Sequence, residues 1–299
     1  MINYTGKLAA VATALFWTIT ALAFERASLR VGSLAVNFIK VFIGFLFLSV
    51  FTYFYRNSFF PYDASFYSWF WLILSGFVGF VFGDLFLFES FTIIGSRFAM
   101  LIMTMVPPIT ALSGWIILGE KLTSMNFVGM FLTIGGISLA IFSRNNANGK
   151  LSLKLSVKGI LFAFGGALGQ ALGLVLSKFG MKSYDPFAAT QIRLIAGMFG
   201  FTALVTILGQ WGTVIKAFSN RQGMAAISLG SFFGPFLGVS FSLLAIQHAK
   251  TGIASTIMAI VPVLIIPPAV FLYKEKVTLF EILGAIVSIF GVALFFVEF

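Results

Sequence analysis

Leu34 to Tyr55 reads LAVNFIKVFIGFLFLSVFTYFY, 22 positions with one charge, Lys40. About 20 apolar residues carry an α-helix across a hydrocarbon layer roughly 30 Å thick, so this run is long enough to span. Outward from it the chain keeps the same character. Of 299 residues, 60% are hydrophobic and 9% charged, with a mean hydropathy of +1.05. Soluble domains carry about a quarter of their residues as charges, and disorder needs low hydrophobicity with high charge. Both classes are excluded. Similar runs lie near 7–24, 68–92, 96–118, 124–142, 157–178, 186–208, 222–246, 251–273 and 278–297. A membrane β-barrel shows alternating segments of about ten residues instead. The fold class expected is all-α integral membrane, with ten transmembrane helices.

The opening run also has a copy. A shift of 153 carries Ile39-Lys40 onto Ile192-Arg193, Gly44 onto Gly197, Gly6 onto Gly159 and Ala14 onto Ala167. From Val106-Pro107 onward a shift of 155 holds, giving Val261-Pro262, then Glu275-Lys276 for Glu120-Lys121 and Gly291 for Gly136. The two-residue slip falls in the third or eighth span, or in the connection before it. The domains predicted are residues 1–143 and 157–299, joined by a polar linker at 144–156 that holds Asn145, Asn146 and Asn148. Five crossings per copy is an odd number, so the second copy enters the membrane upside down. Inverted pairs place substrate near the midplane, where the copies meet. Ala21-Leu22-Ala23 matches a signal-peptidase pattern, but the first span has a counterpart in the second copy and is expected to be retained.

The ordered series Phe91-Thr92-Ile93-Ile94-Gly95-Ser96-Arg97-Phe98-Ala99, Val106-Pro107, Leu118-Gly119-Glu120-Lys121-Leu122-Thr123, Gly129 and Gly135-Gly136 resembles an EamA domain of the drug/metabolite transporter superfamily. The series recurs as Ala245-Ile246-Gln247-His248-Ala249-Lys250-Thr251-Gly252-Ile253-Ala254, Val261-Pro262, Lys274-Glu275-Lys276-Val277-Thr278, Gly284 and Gly291. Together the two copies cover nearly the whole chain. The resemblance implies a ten-helix inner-membrane permease, often an exporter of amino acids or other small metabolites, with both termini in the cytoplasm. The charges point the other way. With the amino terminus inside, six Lys and Arg fall on cytoplasmic segments and eleven on external ones, the reverse of the positive-inside pattern.

Ionisable groups within a span are costly and mark function by default. Asp84 and Glu89 lie in the third span, about 140° apart around a helix, and so form no carboxylate pair. Asp84 is the candidate for coupling transport to protons; the other reading is a closed ion pair with Lys40 or Arg193. Lys40 and Arg193 are repeat equivalents, read either as binders of an anionic substrate group or as snorkelling and bridging side chains. Trp17 and Gln170 are also equivalents. By resemblance Trp17 faces the central cavity, where an indole offers an apolar or cation–π wall, and Gln170 brings donors and an acceptor. Asn37 and Gln191 are further cavity candidates, with interhelical hydrogen bonding as their alternative. Pro107 and Pro262 interrupt spans four and nine at the same point and are expected to kink them. The 39 Phe read as lipid-facing and core-filling.

Other chemistry has no visible machinery. One histidine, His248, and no cysteine leave no metal cluster. No nucleophile–base spacing or phosphate loop appears, so no catalytic residue and no cofactor is expected. The net charge of +10 sits mostly between apolar runs, which argues against a nucleic-acid partner and for lipid. The expected partner is a small-molecule substrate; oligomeric state does not follow from the residues. A secondary transporter is the reading, with an uncoupled facilitator, or a membrane enzyme or receptor, as its alternatives.

Overall fold

The computed structural model describes residues 5–118, 124–142, 156–248, 254, 257–274 and 277–294. The linker and the motifs at 119–123, 249–253 and 275–276 lie outside them. Every described regular element is helical. α1 (Thr5–Val31) and α2 (Ser33–Arg56) are separated by Gly32 at φ 86°, and α2 ends at Asn57 in the left-handed region. α3 (Phe66–Gly76) starts at Ser65, whose hydroxyl accepts from the Ser68 amide at 3.1 Å. It passes through a π-helix (Phe77–Gly83) into α4 (Asp84–Ile102). A 3₁₀ turn (Met103–Met105) leads to α5 (Val106–Leu118), followed by α6 (Ser124–Phe142).

The second half runs α7 (Val157–Met181), α8 (Pro186–Ile207), α9 (Trp211–Ser219) and α10 (Arg221–Ser231). A second π-helix (Phe232–Gly238) leads into α11 (Val239–His248). After it come α12 (Val261–Leu264), α13 (Ile266–Tyr273) and α14 (Leu279–Leu294). Asp185 caps α8 at the Ala188 amide with Pro186 in the first turn, where a missing N–H costs nothing. Among the described residues, six helical stretches are long and apolar enough to cross a membrane: 5–31, 33–56, 66–113, 157–181, 186–207 and 221–248. Three shorter apolar helices, 127–139, 261–271 and 279–294, accompany them. Their outer faces carry exposed Phe54, Phe66, Phe131, Phe199, Ile207 and Phe271, an apolar surface far larger than water-soluble monomers present.

The 66–113 stretch is not one helix. Gly95 sits at φ 80°, ψ 157°, a break that falls between the third and fourth expected spans. Side chains other than glycine essentially never occupy that region, and a methyl there would also lie 3.1 Å from Glu25 Oε1. Gly95→Ala is expected to destabilise the protein by about 1–3 kcal/mol, read as a lower melting temperature in detergent.

The repeat is written in the elements themselves. A shift of 153 carries the first residue of α2, Ser33, to that of α8, Pro186. A shift of 155 carries the start of α3 to the start of α10 and one π-helix onto the other. The slip therefore lies in the connections 57–65 and 208–220, the latter enlarged by α9, a short helix that sequence reading treated as loop.

Packing exchanges the halves. α7 runs antiparallel along α3 and α4, with Gly180 against Trp71 and Leu72, Gly173 against Gly79, Gly169 against Gly83 and Gly159 against Ile93 and Ile94. Equivalently, α10 and α11 run antiparallel along α1, with Gly223 at Val31, Gly230 at Phe24, Gly234 at Thr20 and Gly238 at Trp17. Small residues let backbones approach where lipid offers no hydrophobic drive. α6 and α14 cross on the same principle. Gly136 abuts Ser288 and Gly284, Gly291 abuts Thr133 and Gly129, and the Thr133 and Ser288 hydroxyls each reach the other's carbonyl at 3.4 Å.

Candidate functional site

The two π-helices aim the site. Each widened turn sits beside the first helix of the opposite half, and π segments of this kind gather at functional positions. Between them opens a cavity with walls from both halves. Its lining pairs up under the repeat shifts: Trp17 with Gln170, Lys40 with Arg193, Phe80 with Pro235, Met103 with Met258, Val106 with Val261, Pro107 with Pro262 and Asp84 with Val239.

Seven of the sequence candidates are brought together here: Trp17, Lys40, Asp84, Gln170, Arg193, Pro107 and Pro262. Lys40 Nζ lies 2.5 Å from Asp84 Oδ2, and both residues are buried. Gln170 Nε2 donates to the other oxygen, Oδ1, also at 2.5 Å, and reaches the Gly79 carbonyl at 3.3 Å. The ammonium of Lys40 stands 3.8 Å above the Phe88 ring, with Phe24 and Phe80 farther out. Arg193 stands close to the same group, its guanidinium 5.0 Å from the Phe80 ring centre. Its Nε is buried without a hydrogen-bond partner. Gly79 makes the room, since a methyl there would lie 2.9 Å from Arg193 Nη2. The Trp17 indole is seated in the same way by Gly238, whose added methyl would come within 2.8 Å of it.

Pro107 and Pro262 stand in the first turn of α5 and α12, each just after a tightened or turned stretch, 103–105 and 259–260. Both are buried and both line the cavity. The remaining candidates are placed elsewhere. Asn37 is buried beside the site and donates to the Asp84 backbone carbonyl at 3.3 Å. Gln191 binds Ser49 Oγ and the Phe59 carbonyl, both at 3.1 Å, near the end where α2 finishes. Half-buried Glu89 accepts from Ser33 Oγ at 2.5 Å. His248 is exposed at the end of α11.

Four phenylalanines read from sequence as lipid-facing or core-filling, Phe24, Phe80, Phe88 and Phe91, line the cavity. The signal that finds Phe80 is its place three residues before Gly83, within the segment the 155 shift carries onto 232–238.

At the end where α2 and α7 finish, the halves are tied by polar groups. Arg56 Nη2 pairs with Asp63 Oδ2 at 2.6 Å, and the Tyr184 hydroxyl donates to Asp63 Oδ1 at 2.9 Å. Burial pushes the Tyr184 phenol up to about 12, with Asp63 adding to the shift. Burial pulls Asp63 upward, but Tyr184 and Arg56 outweigh it and hold the carboxyl below its ordinary range. At the other end Arg97 of α4 pairs with Glu281 of α14 at 3.5 Å, and Ser96 donates to Glu25 at 2.6 Å.

Comparisons with known proteins place this architecture. A search of curated protein sequences finds no match. Solved structures do match, 28 chains in all. One crystal structure superposes with a TM-score of 0.64 at 17% identity, over 97% of this chain and 95% of its own; at that identity the likeness speaks to the fold. The profile of the EamA-like transporter family matches twice, over residues 4–142 and 157–297. With six apolar helical stretches of membrane length among the described residues and two matched copies that between them span almost every residue, the chain is an integral membrane protein and belongs to the EamA-like transporter family.

Proposed function

We propose that this protein is a secondary transporter of the inner membrane that moves a small metabolite by alternating access, with export the direction to test first. The observation that carries the reading is the cavity, walled by equivalent residues of two halves and centred on a buried ionised group. The chain directions support ten crossings in two inverted repeats: α7 runs antiparallel to α3 and α4, and α1 antiparallel to α10 and α11. Lipid and a small solute are the proposed partners. Amino acids are the first substrates to try, by resemblance. No step calls for a cofactor, so a solute or ion gradient supplies the drive.

The test compares metabolites in the medium of cells expressing the protein with those of cells expressing a Gln170→Leu/Trp17→Ala variant at matched membrane levels. A compound enriched only by the unaltered protein is the expected result and names the export substrate. Identical media overturn export and turn the test to uptake.

A further inference from the structure

The cavity carries more positive than negative charge, and the repeat shows why. In the first half, Lys40 of α2 faces Asp84, the first residue of α4, at 2.5 Å. In the second half, Arg193 of α8 is the equivalent of Lys40, and the first residue of α11, equivalent to Asp84, is Val239. The pair is made once and half-made once. Arg193 is 4% exposed, its Nε has no hydrogen-bond partner, and it forms no ion pair within 4.0 Å among the described residues. Asp84 is near enough to act on Arg193 but is already paired with Lys40; a buried guanidinium that shares its only nearby carboxylate is expensive, and an intramembrane cation of this kind is a ligand site by default.

Among the described residues, the lining has no free acceptor of matching charge for a ligand's ammonium. Asp84 is the one carboxylate among the described lining residues, and both its oxygens are engaged, by Lys40 and by Gln170. The hydroxyls of Thr20, Thr104 and Ser242 are neutral and donate to backbone carbonyls three or four residues back in the chain. A zwitterion leaves the site with its surplus positive charge; a monoanion cancels it. The remaining walls are apolar and aromatic, among them Phe88, Phe91, Met100 and Met258.

We infer that the cavity selects an organic monoanion, one carboxylate on an apolar body without an ammonium group, with Arg193 as the carboxylate's fork-shaped partner. The inference rests on the transport reading and narrows its substrate class. Purified full-length protein is titrated by calorimetry, and by thermal shift, with two charge series on fixed skeletons. These are 4-methyl-2-oxopentanoate, leucine and 3-methylbutylamine, then phenylpyruvate, phenylalanine and phenethylamine.

At least one oxo acid is expected to bind tenfold or more tightly than its amino acid, with no binding of the amines. Arg193→Gln and Val239→Asp, the second supplying the missing counter-charge, each weaken that binding at least tenfold, Val239→Asn by less than Val239→Asp, whereas Gly135→Ala, whose added methyl meets nothing within 4 Å, leaves it within twofold. Cooperative melting of every variant excludes misfolding as the cause. Equal or tighter binding of an amino acid or amine overturns the inference, as does oxo-acid binding that Val239→Asp leaves intact, or no oxo-acid binding in either series. An amino acid appearing in the medium in the export test sinks the anion preference alone and leaves the transporter reading standing.

Discussion

Asp84→Asn is expected to abolish uphill accumulation in reconstituted vesicles while counterflow persists. Asp84 is 6% exposed and its partner Lys40 is 1% exposed, so the substitution strands a cation in the bundle interior. Breaking a buried pair from one side costs about 3–5 kcal/mol, mostly as the penalty on the abandoned charge. Gln170 loses its charged acceptor as well, though it keeps the Gly79 carbonyl. A lower melting temperature is therefore expected alongside the transport defect. Removing both charges, in Lys40→Met/Asp84→Asn, is expected to recover most of the lost stability, because an apolar replacement of a buried pair is often neutral. Accumulation is not expected to return with it. Uphill transport at the original rate in Asp84→Asn removes Asp84 from coupling and leaves it an architectural ion pair.

The second large effect is steric. Gly169→Val is expected to prevent recovery of folded protein, and Gly169→Ala to lower the melting temperature with a cost of about 1–3 kcal/mol. A methyl at 169 meets Gly83 Cα at 2.5 Å, Gly83 N at 2.7 Å and the Val78 carbonyl at 2.9 Å. All three are backbone atoms, so no rotamer change relieves the clash and the helices must part. Parting them pulls the π-helix from α7 and with it the Gly79 carbonyl from Gln170. Gly135→Ala is the control, since a methyl there meets nothing within 4 Å. A Gly169→Ala protein that melts with the unaltered one shows that the crossing tolerates widening and removes close approach as its organising contact.

Much of the architecture was legible because membrane helices announce themselves through length and apolarity, and because Gly95 and the two Val-Pro steps punctuate them. The repeat was legible at Ile39-Lys40 and Ile192-Arg193, where identity and chemistry coincide. The π-helices were not, since their sequences satisfy α-helical and π geometry equally and the choice is made by the helix packed alongside. Nor was the partner of Asp84. Lys40 and Arg193 are equivalent by position, and side-chain reach across the bundle decided between them. Asn37 and Gln191 illustrate the same limit: a polar residue in mid-span points wherever its helix is rotated, and Gln191 turned toward Ser49 and Phe59. One signal was present and unused. The 155 shift, carried back from Val106 to Phe77, sets Asp84 opposite Val239 and exposes the missing carboxylate.

The two antiparallel crossings beside the cavity are equivalents but not copies. Trp17, Thr20 and Phe24 on α1 correspond to Gln170, Gly173 and Ser177 on α7. The first three press bulk onto Gly238, Gly234 and Gly230; on the α7 side Gly173 lies bare against Gly79, and Ser177 meets Ser75 through a 2.6 Å hydrogen bond. In a carrier built from inverted repeats, exchanging the roles of the halves converts one access state into the other, so identical halves would make the two states equal in free energy. Here side-chain volume differs at three paired positions, which on that mechanism would lift the degeneracy. On the transport proposed above, divergence after duplication would set the resting state of the cycle, and exchanging Thr20 and Phe24 with Gly173 and Ser177 is expected to shift its bias while leaving Lys40, Asp84, Gln170 and Arg193 in place.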